Sequence, residues 1–103
     1  MTIIEHGQQN WLLTRWTDCW DLKSESRYWL NQHTRVPAAI VIEKKGLWSS
    51  VIFLPDGEVL DVITTTSKKT TQGMSSKILK DFVDMCHIST KQAREPFRKW
   101  LDI

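Results

Sequence analysis

The stretch Pro37-Ala38-Ala39-Ile40-Val41-Ile42-Glu43-Lys44-Lys45-Gly46-Leu47-Trp48-Ser49-Ser50-Val51-Ile52-Phe53-Leu54-Pro55-Asp56-Gly57-Glu58 decides the fold. Two runs rich in β-branched residues, 38–43 and 47–54, are separated by Lys44-Lys45-Gly46. The second run ends at Pro55-Asp56-Gly57-Glu58, where proline presets the turn and glycine supplies a left-handed residue. A third β-branched run follows over 58–65. Three strands joined by two short turns predict an antiparallel β-meander. Apolar positions occur on both faces of these strands, so helices or a partner should cover both sides of the sheet.

Working toward the C-terminus, 64–73 (TTTSKKTTQG) has no large apolar residue and reads as a mobile surface loop. Met74-Ser75-Ser76 then caps a helix whose Ile78, Leu79, Phe82, Val83 and Met85 recur at helical spacing through Cys86. His87-Ile88 is a tight link. Ser89 is an N-cap for a short second helix from Thr90, which Pro96 kinks or restarts. Phe97, Trp100 and Leu101 pack back. Toward the N-terminus, Ser24 or Ser26 caps an expected helix at 24–33. The segment 8–20 is read as helix from the spacing of Leu13, Trp16 and Trp20, although 11–16 suits a strand equally well. The expected fold class is therefore α+β: a single domain over 1–103, with a three-stranded antiparallel β-meander, an N-terminal helical region and a C-terminal helix pair.

Composition bounds the function classes. The chain has 103 residues, 41% hydrophobic and 25% charged, which is enough for one modest core in an ordinary globular protein. No apolar run approaches bilayer length and no secretory leader is visible, so no membrane association is expected. Two cysteines, Cys19 and Cys86, make no disulfide framework, and the expected location is cytoplasmic.

Catalytic signatures are absent. There is no phosphate-binding glycine loop or nucleophile elbow, and His6, His33, His87 and the cysteines do not fall at metal-ligand spacing. A Cys19–His87 pair would have to form through space, and Asp18 with Asp21 suits a solvated face or a cap. The chain is read as a non-enzyme with no cofactor, no metal and no catalytic residues.

Two binding readings remain. Six tryptophans against one tyrosine is an unusual aromatic inventory, and four of the six lie in the first 29 residues. Exposed indoles anchor interfaces, so Trp11, Trp16, Trp20, Tyr28 and Trp29 are candidate contacts for a protein partner. The alternative is a small nucleic-acid-binding regulator. Residues 62–103 carry eight basic groups against four acidic ones, whereas 1–61 carry six against eight. The arrangement 78–86, 87–89, 90–94 resembles a helix-turn-helix, in which the start of the second helix touches base edges. Its candidates are Lys68, Lys69, Lys77, Lys80, Lys91, Gln92, Arg94, Arg98 and Lys99. A solvated helical face is the plainer account of the same charges. The partner's identity and the oligomeric state are not readable.

Trp20-Asp21-Leu22, then Tyr28-Trp29-Leu30, Ala38 to Ile42, Trp48 and the strand pair about Asp56-Gly57 together resemble small bacterial immunity proteins of contact-dependent inhibition systems. The likeness covers residues 20–63. It implies a tryptophan-bearing helix before a β-meander, and an inhibitor that binds one protein partner and catalyses nothing.

Overall fold

In a computed structural model, residues 3–18 and 24–86 are described. The chain runs β1 (Ile3–His6), β2 (Gln9–Leu13), β3 (Thr17–Asp18), β4 (Ser24–Leu30), β5 (Arg35–Lys44), β6 (Leu47–Phe53), β7 (Val59–Thr65) and α1 (Lys68–Met85). Every pairing is antiparallel, in the order β1-β2-β4-β5-β6-β7, and the sheet is curled. Strand β3 resumes the course of β2 beside β4, after a break at 14–16 where Thr14 bonds Tyr28 through both its amide and its hydroxyl.

The three central strands stand close to where the β-branched runs place them, but they form only half of the sheet. The β5–β6 turn is Lys45-Gly46, and both residues have positive φ (54° and 78°), as a two-residue type I′ turn requires. Leu60 is the extra residue where the β6–β7 register shifts.

The expected fold class is corrected in two places. The N-terminal region expected to be helical holds no helix among the described residues: it is β2, β3 and β4, with the break at 14–16 and a turn after Leu30. Residues 24–30 alternate with period two, placing Glu25, Arg27 and Trp29 on one face and Ser26, Tyr28 and Leu30 on the other. Two charged residues on the core side hid that alternation. At the other end one helix of 18 residues replaces the first of the expected pair, and the second, from Thr90, lies outside the described residues. The expected loop at 64–73 is the end of β7 followed by two turns of α1.

That early helix start has a local cause. Ser67 is in extended conformation and its hydroxyl accepts the Thr70 amide, a side-chain N-cap. Thr71, Ser75, Leu79 and Val83 then form one buried stripe at i, i+4 spacing. Its polar half is satisfied: Thr71 Oγ1 donates to the Trp48 carbonyl at 3.0 Å, and the Ser75 hydroxyl lies 2.7 Å from both Ser50 Oγ and the Thr71 carbonyl.

The helix covers one face of the sheet. Ile4, Trp11, Trp29, Ala38, Ala39 and Ile52 pack with Leu79 and Val83, with Leu13, Trp16, Val36, Ile78, Phe82 and Cys86 around them. Trp29 is the largest fully buried side chain among the described residues, and its indole N–H donates to the Phe53 carbonyl at 2.9 Å. Glu25 is buried on the same face and forms an ion pair with Lys68 at the start of α1.

Candidate protein-binding surface

The register of β5–β7 sorts their side chains cleanly. Ala39, Val41, Ser50, Ile52 and Ile63 point toward α1, whereas Ile40, Ile42, Val51 and Val62 point to the opposite face. Ile40, Val51 and Val62 are direct cross-strand neighbours, so they form one apolar row over three strands. Around it Ile42, Leu47, Val59, Leu60 and Val62 are between 38% and 57% exposed. At the β1, β2 and β4 end, the residues of that opposite face (Ile3, Leu12 and Leu30) are buried. On this face of the sheet, among the described residues, the exposed apolar side chains are thus confined to β5–β7, with Lys44 and Lys45 at one end and Glu58 at the other.

The candidate aromatic anchors sit elsewhere. Trp11 and Trp29 are buried in the core under α1. Trp16 is part-buried, its indole donating to Ser76 Oγ at 2.9 Å, with the Arg27 guanidinium 5.7 Å from its ring centre. Tyr28 is half-buried under Arg35, whose guanidinium lies 4.1 Å above the ring. Trp20 lies outside the described residues. The structure therefore brings Trp11, Trp16 and Trp29 together as core and core margin.

Of the basic candidates, Lys68 is bound to Glu25 and stands 5.6 Å over Trp48. Lys69, Lys77 and Lys80 are exposed on α1, but Asp81 and Asp84 share that outer face. Lys91, Gln92, Arg94, Arg98 and Lys99 lie outside the described residues, as does the second half of the helix-turn-helix.

Other polar clusters are accounted for structurally. Arg27 is half-buried, and desolvation holds its guanidinium below the usual value; it donates to the Thr14 carbonyl at 2.8 Å and reaches Ser76 Oγ at 3.4 Å. Asp56 accepts the Glu58 amide and lies 3.4 Å from His6 Nε2, and chiefly the amide bond lowers its pKa. Burial raises that of the free Cys86 thiol. Among the described residues no group of three or more His, Cys, Asp or Glu is placed to hold a metal ion, and no helix is long and apolar enough to cross a membrane.

Sequence reasoning did not single out Ile42, Leu47, Val59, Leu60 and Val62 as site residues. Their signal was present in the two-sided apolar character of the strands, which called for a cover on each face. No family model, curated protein or solved structure matches the chain.

Proposed function

We propose that the chain is a non-catalytic protein-binding module that docks a protein partner on the open face of β5–β7. The observation carrying this reading is the contiguous apolar row Ile40–Val51–Val62 with its exposed neighbours, on a sheet whose other face is already covered by α1. Such a face exposes apolar area at the scale usual for interaction sites, and lone surface hydrophobics do not cluster in this way. An inhibitory or immunity-type role, as the sequence resemblance implies, is binding of this kind with no bond made or broken. A cytoplasmic location fits a chain whose two cysteines make no disulfide framework.

The test is photo-crosslinking in intact cells, with a benzophenone amino acid at Val62 or, as control, at Lys77 on α1. Discrete protein adducts from position 62 and few from position 77 are expected. Equal yields from the two positions would refute docking on the sheet face.

A further inference from the structure

We infer that the protein docked on this face is a second copy of the chain, packed sheet on sheet about a two-fold axis that crosses the strands. The inference rests on the reading of β5–β7 as a docking surface and names its occupant. The first argument is area. The five exposed apolar side chains offer roughly 450 Å², and their half-buried neighbours Ile40, Val51 and Phe53 extend the patch toward the ~800 Å² per partner of a standard interface. The row is apolar across three strands, and aligned sheets packed face to face set such rows ~10 Å apart.

The second argument is charge. Lys44 and Lys45 flank the patch at the β5–β6 turn, and the exposed Glu58 flanks it at the β6–β7 turn, about 20 Å away along the strands, while the Asp56 carboxylate is turned to His6 beside Phe82 on the α1 side. A two-fold axis parallel to the strands would set like charges over each other. An axis across the strands, passing over Ile40, Val51 and Val62, sets the lysine end of each copy over the acidic end of the other. The surface is therefore self-complementary in one orientation, as an isologous interface must be.

Edge pairing through β7 is hindered at one amide. Strand β7 ends the sheet among the described residues, and edge pairing is the other route by which a second copy could add. However, the Val62 amide is taken by its neighbour's carboxylate, Asp61 Oδ1, at 2.7 Å, which blunts the edge. The apolar side chains on the face carry no such protection.

Sedimentation equilibrium on the full chain tests the proposal, with circular dichroism and the urea midpoint as controls for folding. The wild type is expected to dimerise, and Val62→Asp to raise the dissociation constant at least about tenfold; Leu47→Glu serves if Val62→Asp disturbs the fold. Lys44→Glu and Glu58→Lys should each weaken self-association, and an equimolar mixture of the two should recover a heterodimer, because each end of the interface then pairs opposite charges. A wild type that stays monomeric up to about 1 mM, a dissociation constant that binding would barely register as affinity, overturns the inference. So does a dimer that folded Val62→Asp leaves unchanged. A mixture no more associated than its components overturns the crossed orientation and with it the proposal. The photo-crosslink separates this failure from that of the docking reading: adducts of position 62 with a different protein leave the surface standing and remove the second copy as its occupant.

Discussion

Replacing Ser75 with alanine probes the least conventional part of this fold, the helix that begins inside a polar segment. Ser75 and Ser50 are both fully buried, and their hydroxyls meet at 2.7 Å between α1 and β6. Ser75→Ala removes that partner and the bond to the Thr71 carbonyl, leaving the Ser50 hydroxyl in an apolar site. An unsatisfied buried hydroxyl costs about 1–3 kcal/mol, and the higher helix propensity of alanine returns up to about 0.5 kcal/mol. The net loss should be about 1–2 kcal/mol, which for a domain of this size lowers the melting temperature by roughly 4–10 °C. Urea unfolding followed by tryptophan fluorescence measures it, with Thr70→Ala on the exposed side of the same turn as control, expected within about 0.5 kcal/mol. Ser50→Ala/Ser75→Ala should cost less than the two single changes together, by about 0.5–1 kcal/mol, because neither hydroxyl is then left alone. If Ser75→Ala is no more costly than Thr70→Ala, residues 68–75 are the surface loop their composition suggests, and the buried stripe is wrong.

Two further outcomes follow from the same structure. Leu79→Ala, at the centre of the core between α1 and the sheet, should cost about 3–5 kcal/mol by the same unfolding assay, whereas Met85→Ala at the exposed helix end should be nearly neutral. Asp56 has its pKa lowered in the folded state, so its contribution to stability is present above its unfolded value of 3.8 and is lost as pH falls through the folded value. Carboxyl NMR titration should find its midpoint below 3.8, and Asp56→Asn should flatten the acid limb of the stability profile; a midpoint at or above 3.8 refutes the amide bond as its cause.

The parts of the fold legible in the sequence are those where side-chain chemistry and backbone geometry agree. Ile40-Val41-Ile42 and Val51-Ile52-Phe53 are β-branched or aromatic on both faces, and Lys45-Gly46 and Asp56-Gly57 stand at turns that need left-handed residues, at Lys45 and Gly46 and at Gly57. The illegible parts are those where polar residues do apolar work. Glu25 and Arg27 occupy the core side of β4 because Lys68, Thr14 and Ser76 satisfy them, and each partner comes from another element. Thr71 and Ser75 are buried in α1 because Trp48 and Ser50 wait on β6. None of these pairings is local, so a window of sequence reads the residues as solvent-facing. The i, i+4 series Thr71, Ser75, Leu79, Val83 was the one trace available, and it shows only when small polar residues are admitted to a core stripe.

The same inversion explains why aromatic content was a poor guide to the surface. An indole combines a large apolar body with one donor, and burial is favourable wherever that donor finds an acceptor. Trp29 finds the Phe53 carbonyl and Trp16 finds Ser76, so both indoles are drawn inward or against the helix. The aliphatic side chains of β5–β7 have no donor to satisfy, and their position is decided by register alone: every second residue of a strand must face away from α1. In a strand apolar on both faces, that geometry forces Ile42, Leu47 and Val62 outward whatever their preference. A one-residue slip would bring them inward only by expelling Ala39, Val41 and Ile52, all fully buried, together with the Ser50–Ser75 contact. Among the described residues, the exposed apolar face is therefore held in place by the core beneath it, and no shift of register within the sheet relieves its exposure.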